Sequence, residues 1–292
     1  MRKQFVETVE EILKKDERTV LLLGDIGVFG FRNAFKEYPD RVYNIGILEQ
    51  STISMSAGLN MVGLIPIVHT IAPFLTERCF EQIKDDFGYQ KLGGNLVSVG
   101  ASYDYAGLGC THHCPADVPI LMNIPDVQIV VPGTSEDFDT LFKESYANGK
   151  LKYFRLSERK NQNKFAVSFG KAKVVKKGKS ATVIAVGPLL DVVLSSVKDL
   201  DVTVIYITTI RPFDIETVRR NIVGGKVMIC EPYYSGALAE SVLSASKKPL
   251  KIEFIGVPKE FLTNYGTMED HDQALGFTEK ETFKKVKKLI HE

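Results

Sequence analysis

Short apolar runs occur along the whole chain, and each is followed by turn residues and then by helical periodicity. The clearest run is Val20 to Leu23, which ends at Gly24 and Asp25. A run of this kind is typical of a parallel strand that helices cover on both faces. Further strand candidates are residues 42–47, 64–69, 96–100 and 127–131, and then 181–186, 202–207, 227–230 and 252–255. Strands that alternate with helices predict an α/β fold.

A polar segment separates the two series of strand candidates. Residues 145–165 are largely polar and have no clear period, so they are predicted to form an irregular interdomain linker. We place the boundary near residue 168. This gives a first domain over residues 1–167, with the linker at its end, and a smaller second domain over residues 168–292. The predicted fold class is α/β, with two doubly wound α/β domains.

Charge and composition argue against several classes of partner and location. Lys and Arg total 37 against 36 for Asp and Glu, so no net field draws the chain to nucleic acid or to an anionic membrane. No apolar run approaches the roughly 20 residues that span a bilayer, and the N-terminus lacks the pattern of a signal peptide. The four cysteines are more typical of reduced thiols than of a disulfide framework. We therefore expect a cytoplasmic protein.

One short segment concentrates residue types that bind metals. Cys110, His112, His113 and Cys114 crowd five positions, and thiolates and imidazoles are the ligands that zinc prefers. The segment lacks the usual spacing of separated ligand pairs, and Cys230 is distant. Buried cysteines also commonly do no more than pack. A metal site stays an alternative here, and we predict no metal ligands in this chain.

Several motifs follow one another in the order and spacing of a known enzyme family. In the first half they are Gly30-Phe31-Arg32, Tyr38-Pro39-Asp40-Arg41, residues 44–50, Ser56-Ala57-Gly58-Leu59, Phe74, residues 78–83, Asp104, Ala106-Gly107, Thr111-His112, Pro125 and Val131-Pro132. In the second half they are Gly170-Lys171-Ala172, residues 210–214 and residues 231–234. On these residues the chain resembles the transketolase family, with its relatives deoxyxylulose-phosphate synthase and the beta chains of 2-oxo acid dehydrogenases. The resemblance covers most of the chain.

The resemblance implies thiamine diphosphate as the cofactor. Glu49 matches the family's catalytic glutamate, which hydrogen-bonds the aminopyrimidine ring nitrogen and so activates the cofactor. Phe74 matches the aromatic residue that stacks on this ring, with Leu75 as an alternative register. Asp25 and Ile47 are also assigned to cofactor binding. Without the flanking motifs, a Glu in the first turn of a helix would be explained by the helix dipole, and a Phe by core packing.

The resemblance also implies substrate-binding residues. His112 matches the family histidine beside the thiazolium and the substrate oxygens, where imidazole can exchange protons, so it is assigned to both catalysis and substrate binding. Arg155 and Arg159 lie near the arginine that binds substrate phosphate in transketolases. Arg2 is a weaker candidate for binding the substrate phosphate. For at least one of Arg155 and Arg159, the alternative is a solvent-exposed side chain with no role in binding. The loop before His112 lacks the family's acidic-glycine stretch, whose aspartate contacts a hydroxyl of the donor sugar in transketolases. The resemblance therefore does not identify the donor substrate.

The resemblance further implies a partner chain. Family members hold Mg²⁺ and the cofactor diphosphate with a Gly-Asp-Gly motif and a later Asn, whereas here Gly24-Asp25 is followed by Ile26. We expect the C-terminal subunit of a split transketolase-like enzyme, a heterotetramer whose N-terminal subunit supplies the diphosphate-binding domain with its Mg²⁺. The expected reaction transfers a two-carbon ketol unit between a ketose and an aldose. The alternatives are a 2-oxo acid dehydrogenase beta chain, a decarboxylating subunit similar to deoxyxylulose-phosphate synthase, and a non-catalytic scaffold.

Overall fold

A computed structural model describes residues 1–292, and its strands form two sheets. The strands are β1 (Thr19–Leu23), β2 (Val42–Asn44), β3 (Ile65–Ile71), β4 (Gly94–Val99), β5 (Gln128–Val130), β6 (Leu151–Arg155), β7 (Lys173–Lys176), β8 (Ala181–Val186), β9 (Val202–Ile207), β10 (Thr209–Arg211), β11 (Lys226–Tyr234) and β12 (Lys251–Val257). The first sheet has the order β10-β5-β6-β4-β3-β1-β2, and the second has the order β12-β11-β8-β9-β7. All neighbouring strands are parallel except β10 with β5 and β7 with β9. The predicted fold class, with two doubly wound α/β layers, is confirmed.

Helices cover the faces of both sheets. They are α1 (Arg2–Lys15), α2 (Arg32–Glu37), α3 (Glu49–Met61), α4 (Ala72–Thr76), α5 (Phe80–Gln82), α6 (Asp117–Leu121), α7 (Ser135–Ser145), α8 (Leu190–Ser196), α9 (Ile215–Asn221), α10 (Ala239–Ser244), α11 (Met268–Leu275) and α12 (Glu279–His291), with a π-helical segment Ile83–Tyr89 and 3₁₀ segments Ala106–Thr111 and Gly187–Leu189. The Thr278 hydroxyl caps α12 by accepting a hydrogen bond from the Glu281 N–H at 3.3 Å. A Thr at the start of a helix commonly accepts from the N–H group three residues later. None of these helices has the length and apolar character needed to cross a membrane.

The segment predicted to be an irregular linker contains a central strand. β6 lies between β4 and β5, and all five of its residues are buried. Lys152 and Arg155 hide this strand from sequence reasoning, because their charges interrupt the apolar run. Both side chains have polar partners inside the protein: Lys152 Nζ donates to Asn148 Oδ1 at 2.6 Å, and Arg155 Nε donates to Asp117 Oδ2 at 2.7 Å; burial also lowers the pKa of Lys152 to about 7, so only Arg155 is fully charged at neutral pH. Burial of charge is tolerated where such partners exist. The prediction of an irregular segment over residues 145–165 was wrong there.

The two layers are joined by more than the connecting chain. β10 comes from the second half of the sequence but pairs with β5 at the edge of the first sheet. The Tyr206 hydroxyl donates to Asp137 at 2.5 Å, and the Tyr234 N–H donates to the Pro115 carbonyl at 2.9 Å. These contacts fix the second layer against the loops of the first.

Candidate functional site

A group of polar and aromatic side chains lies where β1, β2 and β3 end. These strands are parallel neighbours, so their carboxyl ends share one edge of the sheet, where α/β proteins place their ligands. Asp25 follows β1, Asn44 ends β2, and Phe74 lies on α4 directly after β3. Asn44 Nδ2 donates to Asp25 Oδ1 at 3.1 Å, and the Asp25 N–H donates to Asn44 Oδ1 at 3.0 Å. This reciprocal pair holds the loop after β1 against the loop that leads to Glu49.

Glu49 is the first residue of α3, and it is buried. Only 4% of it is exposed, although the two residues before it, Ile47 and Leu48, are 68% and 57% exposed. The helix N-terminus favours a carboxylate, and Glu49 Oε2 accepts a hydrogen bond from Arg78 Nη1 at 2.7 Å. A buried acid bordered by exposed apolar side chains is typical of a surface that another molecule covers.

Phe74 and Arg78 extend the group beyond Glu49. The guanidinium carbon of Arg78 lies 4.3 Å from the centre of the Phe74 ring, within the range of a cation–π contact. Phe74 is half-buried, whereas Leu75, the alternative register, is fully buried in the core. Phe74, and not Leu75, therefore contacts the guanidinium that binds Glu49.

His112 also contacts the Phe74 ring. Their ring centres are 5.3 Å apart in an edge-to-face arrangement, and Tyr105 follows at 6.4 Å from His112. Gly100 makes room for Tyr105, because a Cβ at this position, where φ is +76°, would lie 2.5 Å from the tyrosine ring. A chain of contacts thus runs from Glu49 through Arg78, Phe74 and His112 to Tyr105. Three predicted site residues, Glu49, Phe74 and His112, are brought together.

The two arginines predicted to bind substrate are held by acids of their own chain. Arg155 is 1% exposed; its Nε donates to Asp117, and its Nη2 donates to Ser102 Oγ at 2.7 Å and to the Pro232 carbonyl at 3.0 Å. Arg159 donates to Asp272 on α11. A substrate group would have to share these guanidinium groups with the acids. Substrate binding by Arg155 and Arg159 stays a prediction.

A cavity of about 490 Å³ opens between α1 and the loop after β1. Its lining includes the cations Arg2, Lys3 and Arg32, with Phe29 and His69. Burial lowers the pKa of His69 to about 4, so this imidazole is neutral at pH 7 and its Nδ1 can donate to the Val97 carbonyl, 2.8 Å away. The lining also includes Glu7, which pairs with Lys3 at 3.4 Å, so Arg2 and Arg32 are the cations left to attract an anionic group. Sequence reasoning names Arg2 only as a weak candidate, because packing of α1 on the loop creates this cavity.

The residues in the segment 110–114 face different neighbours. Cys110 is exposed, and the ring of His113 packs edge-on against that of His271, with centres 5.3 Å apart. Cys114 is buried, with Sγ 3.5 Å from Thr76 Oγ1. Within residues 1–292, no group of three or more His, Cys, Asp or Glu side chains is arranged to hold a metal ion. The alternative of a zinc site in this segment has no support in the geometry.

Arg78 is the site residue that sequence reasoning missed. It lies four positions after Phe74, a spacing that on a continuous helix places two side chains on one face, although in the structure Arg78 lies in the turn after α4. That spacing is the signal that could have identified it. Its contact with Glu49 joins residues that are 29 positions apart and depends on the tertiary fold.

Comparisons with known proteins identify the family of this chain. The family model "Transketolase, pyrimidine binding domain" matches residues 1–163, and "Transketolase, C-terminal domain" matches residues 170–280. An uncharacterized 33.6 kDa protein in the fasciation locus of Rhodococcoides fascians is 39% identical over 281 residues, which are 93% of this chain and 89% of that protein. An apulose-4-phosphate transketolase subunit of Phocaeicola vulgatus is 27% identical over 273 residues, which are 89% of this chain and 88% of that protein.

Solved structures agree with these matches. A split-gene transketolase, solved as an inactive beta4 tetramer, aligns with a TM-score of 0.86 at 25% identity, covering 99% of this chain and 97% of that one. Transketolase from Campylobacter jejuni aligns with a TM-score of 0.81 over 98% of this chain and 46% of that one; at 16% identity this likeness concerns the fold alone. The chain belongs to the transketolase family, whose pyrimidine-binding and C-terminal domains it carries in that order.

Proposed function

We propose that this chain is the C-terminal subunit of a split, thiamine-diphosphate-dependent transketolase, which transfers a two-carbon ketol unit between a ketose and an aldose. The observation that carries the proposal is the buried carboxylate of Glu49 at the start of α3, next to the exposed Ile47 and Leu48. Family membership implies the use of thiamine diphosphate. When bound, this cofactor supplies the nucleophilic thiazolium carbon.

The residues around Glu49 suit an aminopyrimidine ring. The Arg78 guanidinium, a planar group with N–H donors at its edge, already donates to Glu49 and stacks on Phe74. An aminopyrimidine is also planar and can make the same two contacts. Glu49 would hold a proton at the ring nitrogen, and Phe74 would fix the plane of the ring.

The other assigned residues surround this position. Ile47 offers an exposed apolar side chain next to Glu49, and Asp25 offers an exposed carboxylate on the loop after β1. His112, in edge contact with Phe74, is half-buried and could exchange a proton with a substrate hydroxyl. We propose that Asp25 and Ile47 contact the cofactor and that His112 contacts the substrate.

A partner chain is proposed to supply the diphosphate-binding domain and Mg²⁺. Exposed apolar side chains on α3 and directly before it support a covered surface here: Ile47, Leu48 and Met55 are 68%, 57% and 44% exposed. The related split-gene transketolase is inactive as a tetramer of beta chains. By analogy, we propose that this chain is inactive alone and forms a heterotetramer with an N-terminal subunit. We also propose that the boundary between the two domains lies at residues 167 and 168, and that the protein is cytoplasmic.

The proposed substrate is a sugar or a sugar phosphate. Arg2 and Arg32, the cations of the cavity beside α1 that are not paired with its one acid, Glu7, support an anionic end on the substrate. The Phocaeicola vulgatus relative is named for apulose 4-phosphate, a phosphorylated compound, which agrees with such a charge. Arg155 and Arg159, each paired with an acid, are proposed as secondary contacts.

The test is reconstitution with a partner chain that carries the Gly-Asp-Gly and Asn elements. With Mg²⁺ and thiamine diphosphate, the complex is expected to transfer a ketol unit from a ketose donor to an aldose. Replacing Glu49 by Ala should lower kcat by about 10²- to 10⁴-fold, because the carboxylate that holds the ring proton is lost. Turnover that survives Glu49→Ala in an intact complex would refute the mechanism. Release of CO₂ from a 2-oxo acid would instead support the decarboxylating alternative.

A further inference from the structure

A single guanidinium makes both contacts that the proposed site offers to an aminopyrimidine ring. Arg78 Nη1 lies 2.7 Å from Glu49 Oε2, and Arg78 Cζ lies 4.3 Å from the centre of the Phe74 ring. A flat donor therefore already lies between the acid and the aromatic face. A second flat donor that bonded to the same carboxylate oxygen and lay on the same face of the Phe74 ring would occupy the volume of the guanidinium.

We propose that Arg78 is a built-in occupant of the aminopyrimidine position: it pairs with Glu49 while the site is empty and is displaced when the cofactor ring binds. The inference rests on the proposed function, since it takes Glu49 and Phe74 as the residues that receive the ring. It adds a regulatory step, because cofactor binding becomes an exchange of one donor for another.

The need for an occupant follows from the burial of Glu49. With 4% of the residue exposed, water has little access to the carboxylate, and Arg78 is the side chain that donates to it. A buried carboxylate without a partner is unfavourable. The charge of Glu49 also raises the pKa of the neighbouring Cys79 thiol, after the larger effect of burial, which brings that pKa to about 12. Cys79 therefore stays protonated and adds no second negative charge.

The ability of Arg78 to leave follows from its own surroundings. Its side chain is 41% exposed, and Glu49 is its only ion-pair partner. The displaced guanidinium can therefore be hydrated at once, which lowers the cost of the exchange on the side of the cation. A cation that is buried and bonded on several sides could not exchange in this way.

The proposal predicts the direction in which cofactor affinity changes. If Arg78 occupies the position for most of the time, the apparent dissociation constant is raised by the reciprocal of the fraction that is free. Occupancy of about 70 to 90% would weaken binding by about 3- to 10-fold. Removing the guanidinium should therefore tighten binding, whereas removing an ordinary cofactor ligand would weaken it.

The experiment measures binding to the complex of this chain with its partner by isothermal titration calorimetry. The probes are thiamine diphosphate with Mg²⁺, and thiamine alone, whose ring reports on this position without the diphosphate. Arg78→Met should lower the dissociation constant of both probes by about 3- to 10-fold. Arg78→Lys, which keeps the charge but not the planar fork, should tighten binding by less and serves if Arg78→Met does not assemble.

The matched control is Lys84→Met, which removes an exposed cation that pairs with Asp85 instead of Glu49. It should leave both dissociation constants unchanged. Weaker or unchanged binding in both Arg78 variants would overturn the inference. Glu49→Gln separates this failure from a failure of the proposed function. If Glu49→Gln weakens binding while the Arg78 variants do not tighten it, only the role of Arg78 is wrong. If Glu49→Gln leaves binding unchanged, Glu49 is not the cofactor's acid and both proposals fall.

Discussion

Arg155 with Asp117 and Arg78 with Glu49 are ion pairs of the same length in opposite surroundings. Each places a guanidinium nitrogen 2.7 Å from a carboxylate oxygen. The side chains of the first pair are 1% and 0% exposed, whereas those of the second are 41% and 4% exposed. Distance alone therefore does not distinguish a structural pair from a functional one. The freedom of the cation to leave does.

We call Arg155 with Asp117 the closed pair and Arg78 with Glu49 the open pair. The closed pair is part of a network that joins the two layers. Asp117 Oδ2 also accepts from the Tyr153 hydroxyl at 2.7 Å, and Arg155 Nη2 donates to Ser102 Oγ and to the Pro232 carbonyl on β11. Charges taken out of water are tolerated when their remaining hydrogen-bonding positions are filled in this way. The network fixes the orientation of the second layer, and it leaves no free position for a ligand on Asp117 Oδ2.

The largest expected effect comes from breaking the closed pair. Asp117→Ala leaves the Arg155 guanidinium buried without its acid, so the free energy of unfolding should fall by about 3 to 5 kcal/mol. Urea unfolding followed by circular dichroism measures the change. Glu49→Ala is the matched control on the open side, with an expected change below about 1 kcal/mol, because the half-exposed Arg78 that it leaves unpaired can be hydrated. Equal losses in the two variants would remove the distinction between the pairs.

The closed pair also explains which parts of the fold sequence could predict. Buried parallel strands such as β1, β8 and β9 are apolar along their length, so their runs are visible in the sequence. β6 carries Arg155 and was missed, because the acid that permits its burial, Asp117, lies 38 positions away. Polar partners brought together by the tertiary fold leave no local signal.

The same limit applies to the candidate site. Glu49, Phe74 and His112 could be named as candidates because each lies in a motif with a recognisable order. The pairing of Arg78 with Glu49, like the arrangement of Arg2 beside the cavity, depends on packing between distant segments. Sequence therefore indicated the residues that the family shares, and it could not indicate which cation neutralises which acid.

A second, smaller effect concerns how the stability of the fold depends on pH near the closed pair. Asp104 lies near Arg155 and accepts from the N–H groups of Ala101 and Glu158; burial raises its pKa to about 6. A carboxyl whose pKa is raised in the folded state stabilises the fold below its unfolded pKa, and this contribution is lost as pH rises through the folded value. Stability should therefore fall between about pH 4 and pH 6.

Asp104→Asn tests this dependence. One amide oxygen can accept from both backbone N–H groups, while the amide nitrogen can donate to Ser157 Oγ, which now bonds to the carboxyl. The variant should be more stable than the parent chain above pH 6, by on the order of 1 to 2 kcal/mol since the group is only half-buried, and equally stable near pH 4. Thermal unfolding across this range measures the difference. A parallel pH profile in both proteins would mean that another group titrates.

The smallest expected effect comes from the open pair. Arg78→Met removes a half-exposed cation and leaves the buried Glu49 carboxylate with only the N-terminus of α3 to stabilise it, so the free energy of unfolding should fall by about 1 kcal/mol, the lower end for a buried acceptor left unsatisfied. The stem of Met can still cover Phe74, which limits the loss of packing. The comparison is sharpest in urea unfolding at pH 7, with Asp117→Ala alongside. A loss of about 3 kcal/mol or more in Arg78→Met would mean that Arg78 is held as firmly as Arg155. In that event the guanidinium could not yield its place to a ligand, and Glu49 would be one more structural acid.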